Sequence, residues 1–125
     1  MSELTPEQAE RGVEIAMDLA REGRTGDLVE FLDHGFPIDQ ADGGANTLLM
    51  LAAYHGHTDT VAALLDRGAD PDVRNARDQA PVAGALCQGE AEVVRLLAAA
   101  GADLDAGTPT ARAAAEMFGT THLLP

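Results

Sequence analysis

The chain has 125 residues, of which 46% are hydrophobic and 3% aromatic, and its formal net charge is −13. A chain of this length buries roughly 65% of the surface that it exposes when unfolded, so we expect one folded domain. The acidic composition argues against nucleic-acid binding, which needs a basic surface, and no apolar run approaches the roughly 18 residues of a membrane span.

Two features indicate the compartment. The N-terminal sequence MSELTPEQAERG is acidic, where a secretory signal peptide would be basic. The single cysteine, Cys87, excludes an internal disulfide and is typical of a reducing environment. We therefore predict a cytoplasmic location and no membrane association.

A first helix is predicted from Pro6 to about Arg21. Residues 5–8, TPEQ, match a capping box with proline at the first helical position. The charged residues of this helix fall on the side expected to face solvent; they are Glu7, Glu10, Arg11, Glu14 and Asp18. A polar outer side is what the terminal unit of a stacked protein needs, so we expect this helix to close the N-terminal end.

The central part of the chain repeats at a fixed interval. The segment GHTDTVAALLDRGADPD, residues 56–72, returns as GEAEVVRLLAAAGADLD, residues 89–105, with an offset of 33. A weaker copy covers residues 17–39, and Gly119 follows Gly89 by only 30 residues, so the last unit has a shortened loop. A period in this range indicates stacked helical or β units, which form a solenoid.

Each unit is predicted to contain two short antiparallel helices followed by a polar loop or hairpin. Apolar residues recur at helical spacing on both sides of Gly56; they are Leu48, Leu51, Ala52, Val61, Leu64 and Leu65. Gly68 and Gly101 follow the second helices, where a left-handed residue commonly ends a helix. The predicted units are residues 6–40, 41–74 and 75–107 and a truncated unit, 108–125.

These segments resemble the ankyrin repeat family. The similar stretches are ANTLLMLAAYHGHTDTVAALLDRGADPD and QAPVAGALCQGEAEVVRLLAAAGADLD, and the resemblance extends over roughly residues 10–124. It implies an all-α solenoid of stacked helix-turn-helix units joined by hairpin-like loops, in a single domain of residues 1–125. The absence of lysine beside abundant Ala, Arg, Gly and Asp indicates a GC-rich bacterial source, hence a bacterial-type member.

Several residue groups invite a metal or catalytic interpretation. Asp70 and Asp72, repeated as Asp103 and Asp105, alternate as in calcium loops, but the glycine and bidentate glutamate of an EF-hand are missing. We expect these aspartates to hydrogen-bond the loop backbone instead. His55 and His57, two residues apart, do not share a helix face. We therefore expect no metal, and no other cofactor.

An enzymatic function is the least favoured hypothesis. Cys87 stands in an acidic sequence, whereas a reactive thiolate needs an electropositive setting and a positioned base. The only serine is Ser2, and the paired carboxylates fall on predicted solvent-exposed faces. We predict no catalytic residues; a metal-dependent or thiol enzyme remains a distant alternative.

The resemblance implies a non-enzymatic protein–protein interaction module, a scaffold or regulator that binds a protein partner through its concave surface. In the family this surface consists of the ends of the first helices and the hairpin tips. The helix-end positions are Arg21, Glu22, Tyr54, His55, Cys87, Gln88, Met117 and Phe118, and the hairpin positions are Gly43, Asn46, Arg74, Arg77 and Gln79. For Phe118 a second interpretation stays open, in which the ring packs inside the shortened last unit as a cap.

The strong negative charge has two interpretations that the sequence leaves open. It keeps an alanine-rich solenoid soluble, or it steers the chain towards a basic partner. The second interpretation supports an alternative function, an acidic inhibitor or immunity protein that blocks a basic enzyme such as a nuclease by mimicking nucleic-acid charge. The apolar C-terminal residues Met117, Phe118, Leu123 and Leu124 leave a monomer or a weak homodimer as the expected state.

Overall fold

Residues 6–125 of the computed structural model are described, and their regular structure is entirely helical. The helices are α1 (Pro6–Glu22), α2 (Thr25–Asp33), α3 (Leu48–Tyr54), α4 (Thr58–Asp66), α5 (Pro81–Gln88), α6 (Ala91–Ala99) and α7 (Ala111–Phe118), followed by a 3-10 turn (Thr121–Leu123). The predicted all-α fold is confirmed. The predicted first helix is present, while its proposed capping residue, Thr5, lies outside the described residues.

The helices form two layers. In the first layer α1, α3, α5 and α7 pack side by side in that order, and in the second layer α2, α4 and α6 do the same. Helices α1, α3 and α5 also pack against the second-layer helix that follows each of them, and α7 packs against the 3-10 turn. Contacts therefore join each unit to its neighbours in the stack, which is the arrangement of a helical-repeat solenoid.

Local sequence chemistry explains where the first-layer helices begin. The Thr47 hydroxyl accepts a hydrogen bond from the Met50 amide at 3.1 Å, and the Thr110 hydroxyl accepts one from the Ala113 amide at 3.1 Å. Each hydroxyl satisfies one amide that the first turn of a helix leaves without an intrahelical partner. In α5 the residue before the helix is Ala80, which has no hydroxyl to cap it. Pro81 occupies the first helical position instead.

Small and branched apolar residues fill the space between the layers. Leucine and valine side chains from both layers are completely or almost completely buried, and alanines are buried where the first-layer helices meet. These residues include Leu28, Leu49, Val61, Leu64, Val82, Leu86, Val94 and Leu97, with Ala16, Ala20, Ala52, Ala53 and Ala85. Alanine at the helix contacts allows the close stacking that a thin solenoid requires.

The loops between units form hairpins, as the sequence predicts. Ala41 and Thr47 make an isolated antiparallel bridge, and in the next loop the Asn75 amide donates to the Gln79 carbonyl at 3.1 Å. Neighbouring loops are also connected, because the Ala76 amide donates to the Gly44 carbonyl at 2.9 Å. The hairpins therefore stack on one another in step with the helices.

At the C-terminal edge the structure contradicts one of the two interpretations of Phe118 that the sequence leaves open. Phe118 is 49% exposed, so the interpretation in which its ring packs inside the last unit is wrong. Leu123 and Leu124 pack against the core instead. The physical reason is that the 3-10 turn contacts both α6 and α7 and so brings these leucines against the last unit.

Two glycines that follow second-layer helices have the left-handed backbone that the sequence predicts. The φ angles are 88° at Gly68 and 89° at Gly101, and a side chain added at either position would meet no atom within 4 Å. We therefore expect Gly68→Ala and Gly101→Ala to lower the free energy of unfolding by about 1 to 2 kcal/mol each, through backbone strain alone. Thermal or urea unfolding followed by circular dichroism measures this loss.

Gly26→Ala is the matched control for these two variants. Gly26 lies in α2 without a positive φ, and an added side chain there would also meet no atom within 4 Å. Alanine is the better helix former, so this variant should be neutral or more stable by up to about 1 kcal/mol. If all three variants were equally stable, the left-handed helix ends would contribute nothing to the free energy of unfolding.

Candidate functional site

A long groove runs along the face where the first-layer helices meet the hairpins. Its first section, about 590 Å³, lies between α1 and residues 40–43. Its second section, about 490 Å³, extends from Arg21 to the hairpin at residues 75–79, and its third, about 150 Å³, lies between α3, α5 and α7. The first two sections share Arg21, and the last two share Met50, Tyr54 and Gln79, so the three sections adjoin one another.

The structure brings most of the predicted binding residues to this groove. Those that line it are Arg21, Gly43, Asn46, Tyr54, His55, Arg77, Gln79, Cys87, Met117 and Phe118. Three others, Glu22, Arg74 and Gln88, are exposed but do not line it. The Arg74 guanidinium instead lies 3.3 Å from the Asp78 carboxylate, on the hairpin.

The first section of the groove is acidic. Glu10, Glu14, Asp18 and Asp42 line it together with Arg21. The Arg21 guanidinium lies 2.8 Å from the Asp18 carboxylate and 3.5 Å from that of Asp42, whereas Glu10 and Glu14 make no ion pair within residues 6–125. Four carboxylates therefore face one cation. The helical pattern of the sequence places Glu10 and Glu14 on a solvent-facing side but gives no sign that they line a groove.

A hydrogen-bond network fixes the hairpins of the second section. The Asn75 side-chain amide donates to the Asn46 and Gln79 side-chain oxygens, each at 2.9 Å. The Asn75 side-chain oxygen accepts from the Arg77 and Gln79 backbone amides, each at 3.0 Å. Asn75, which the repeat motif does not indicate, thus holds three of the predicted hairpin residues, Asn46, Arg77 and Gln79. The Arg77 side chain is exposed and makes no ion pair within the part of the chain that the structure describes.

The third section is apolar, and we call it the apolar pocket; its walls include Tyr54, Cys87, Met117 and Phe118. The exposed fractions are 44% for Tyr54, 68% for Met117 and 49% for Phe118. Gly84 forms part of the base, since a side chain built there would lie 3.6 Å from the Tyr54 ring. Exposed large apolar residues grouped in a depression are typical of a binding surface.

The loop aspartates have the structural role that the sequence predicts. The Asp72 amide donates to the Asp70 carboxylate at 2.9 Å, and the Asp105 amide donates to that of Asp103 at 2.9 Å. The Asp72 carboxylate also accepts from the Asp103 amide of the next unit at 2.7 Å. These carboxylates therefore connect successive loops through their backbone amides.

His57 connects two helices through its imidazole ring. The His57 imidazole Nε2 donates to the Arg21 carbonyl at 2.6 Å, so it ties α4 to the end of α1. His55 lies in the second section of the groove. Among residues 6–125 no cluster of three or more His, Cys, Asp and Glu side chains is arranged to hold a metal ion. No helix in the same range has the length and apolarity to cross a bilayer.

Paired helices and stacked hairpins define a helical-repeat protein. A family model of ankyrin repeats in three copies matches residues 16–108, and the chain belongs to the ankyrin repeat family. The resemblance seen in the sequence is confirmed. Ankyrin repeats are generally protein–protein interaction modules, and their domains are typically non-enzymatic scaffolds.

Known proteins match parts of the chain. A stretch of 71 residues, 55% of the chain, is 41% identical to oxysterol-binding protein-related protein 1 of Rattus norvegicus and covers 8% of that protein. A stretch of 44 residues, 35% of the chain, is 48% identical to a putative ankyrin repeat protein of Pseudomonas aeruginosa and covers 26% of it. The chain thus spans between 8% and 26% of the length of these relatives.

A solved structure supports the same fold. The match with the ankyrin repeat domain of human ASB11 covers 87% of this chain and 50% of the ASB11 chain. Its TM-score is 0.78. The sequence identity is 22%, so this likeness concerns the fold alone.

Proposed function

We propose that this chain is a non-enzymatic interaction module, a scaffold or regulator, that binds a protein partner through the groove. The observation that carries the proposal is the position of the exposed apolar residues. Of the four large apolar residues that are exposed in the described part of the chain, Tyr54, Met117 and Phe118 lie in the groove, and only Ile15 lies elsewhere. Aromatic residues and arginine are the usual anchors of protein interfaces, and both Arg77 and Tyr54 line the second section of the groove.

The rigidity of the groove supports the same proposal. Helices carry its apolar walls, and the Asn75 network holds its hairpins. A surface that is already ordered loses little conformational entropy when a partner binds. Glu22, Arg74 and Gln88, which stand outside the groove, are proposed as flanking contacts. Cys87 is a free thiol, which suits the reducing cytoplasm as the place of action.

The net charge of −13 supports a second candidate function, that of an acidic inhibitor of a basic enzyme such as a nuclease. An inhibitor of this kind binds mainly through long-range attraction, which salt screens over about 10 Å at 0.1 M. Its affinity would therefore collapse in high salt. Binding through the apolar wall of the groove would keep most of its strength, and a salt titration separates the two candidates.

The proposed function is tested with a partner captured from the native cytoplasm and then purified. Tyr54→Ala combined with Arg77→Ala should weaken binding by 1 kcal/mol or more, about fivefold or more in Kd, because both anchors are lost. Isothermal titration calorimetry provides the measurement. Thermal melting should hardly change, since exposed substitutions usually alter stability by no more than about 0.5 kcal/mol.

The control is Ile15→Ala combined with Arg24→Ala. Ile15 has the same exposed fraction as Tyr54, 44%, and the Arg24 side chain is 60% exposed, but neither residue lines the groove. This pair should leave Kd unchanged within about twofold. If the control pair abolishes binding and the groove pair is silent, the interface lies on another surface and the proposed site is wrong.

A further inference from the structure

Resting on the proposed function, we infer the chemistry of the partner: an extended segment with one large apolar side chain for the apolar pocket and basic residues for the first section of the groove. The apolar side chain is Phe or Leu, and the basic residues face Glu10, Glu14 and Asp18. The segment thus binds the groove at two points, one apolar and one acidic.

The apolar pocket has the size and chemistry for one such side chain. Its volume is about 150 Å³, and its walls carry no side chain that is charged at neutral pH. An apolar cavity of about 150 Å³ is large enough to bind benzene. Covering Tyr54, Met117 and Phe118 removes exposed apolar surface from water, which is the main driving force for protein association.

A second copy of this chain does not fit the groove as its occupant. Each copy has a net charge of −13, and like charges of this size keep proteins apart. An apolar side chain from a second copy would also bring further carboxylates to the first section of the groove, where Glu10 and Glu14 already make no ion pair in the described range. The occupant is therefore a different polypeptide.

Charge complementarity explains why the partner segment carries basic residues. The first section presents four carboxylates and one guanidinium, and that guanidinium already contacts Asp18 and Asp42. Lysine or arginine side chains from a partner would give Glu10 and Glu14 the counter-charges that no residue between 6 and 125 supplies. Complementary potentials of this kind fix the register of a partner and speed its association.

The distance between the two points sets the spacing in the partner. The first section lies on α1, and the apolar pocket lies beside α5, which is two helices further along the first layer. Packed helices are about 8 to 10 Å apart, so the two points are roughly 16 to 20 Å apart. An extended chain covers this distance with about five or six residues.

The inference is tested with the full chain and a random library of displayed peptides about 16 residues long, which exceeds the required spacing severalfold. Peptides are selected on the immobilised protein and counter-selected on the Met117→Ser, Phe118→Ser double variant. The retained peptides should share a Phe or Leu and, about five or six residues away, two or more Lys or Arg. Pocket-dependent peptides without basic residues, or the absence of any pocket-dependent peptide, overturn the inference.

Affinities of the strongest peptide give the quantitative test. Phe118→Ala should weaken its binding about tenfold, as expected for an anchor residue. Ile15→Ala, at a similarly exposed residue outside the groove, should leave the Kd within about twofold. Glu10→Gln with Glu14→Gln should weaken binding at least about threefold at low salt and have little effect near 0.5 M NaCl, where charges are screened. The charge control is Glu30→Gln with Asp66→Asn, two exposed positions outside the groove, which should be silent.

Cys87 supplies an independent measurement. It is the only cysteine of the chain, it is half-buried, and it lines the apolar pocket. Saturating peptide should therefore slow its alkylation by iodoacetamide, and an unchanged rate means that the pocket is empty in the complex, which overturns the inference. Peptides that depend on Tyr54 and Arg77 but lack basic residues would defeat the inference while leaving the proposed function intact. Loss of all groove dependence would defeat both.

Discussion

Leu64→Ala and Leu97→Ala are each expected to lower the free energy of unfolding by roughly 2 to 5 kcal/mol. The two leucines occupy equivalent places in α4 and α6, and their exposed fractions are 1% and 0%. Each side chain fills the space between the two helix layers. Its removal loses the burial of the deleted atoms and leaves a cavity that the surrounding helices only partly close.

Urea unfolding followed by circular dichroism measures the loss, and Leu65→Ala is the matched control. Leu65 follows Leu64 in the same helix and is only partly buried, so its truncation should cost clearly less. Hydrogen exchange should show faster opening of the mutated unit and of its direct neighbours, because a solenoid is stabilised by nearest-neighbour contacts. Faster exchange confined to α1 in the Leu97→Ala variant would contradict this stacking.

Gly107→Ala is expected to lower the free energy of unfolding by at least about 2 kcal/mol, because it combines backbone strain with a steric clash. Gly107 has a φ of 85°, and a side chain added there would lie 2.9 Å from the Asp78 carbonyl oxygen. That oxygen accepts a hydrogen bond from the Thr108 amide at 2.8 Å. The added methyl group therefore pushes the last loop away from the hairpin before it.

Gly43→Ala is the control for this variant. Gly43 lies in the first hairpin, is exposed and has no positive φ, and an added side chain would meet no atom within 4 Å. Its replacement should change stability by no more than about 0.5 kcal/mol. Hydrogen exchange at the Thr108 amide should rise only in Gly107→Ala. Equal unfolding midpoints for the two variants would mean that the last loop does not depend on this close approach.

The groove is the part of the site that the sequence predicts only through the family resemblance. The ends of the first helices and the hairpin positions follow from the motif, and residues such as Tyr54, Arg77 and Phe118 do line one surface. The motif gives no sign of Asn75 or Gly84, because their roles depend on side chains of a neighbouring unit. The motif also gives no sign of Glu10 and Glu14, because they precede the repeated segment and have no equivalent residue in the other units.

The sequence by itself determined the period, the helices and their left-handed ends. An offset of 33 residues, apolar residues at helical spacing, and glycines at the ends of the second-layer helices are local properties that backbone geometry imposes on any such chain. Only the tertiary structure decided that Leu123 and Leu124, not Phe118, cover the last unit, and that Gly107 must lack a side chain. Both outcomes depend on distances between units, which a shortened loop changes and a repeat pattern does not encode.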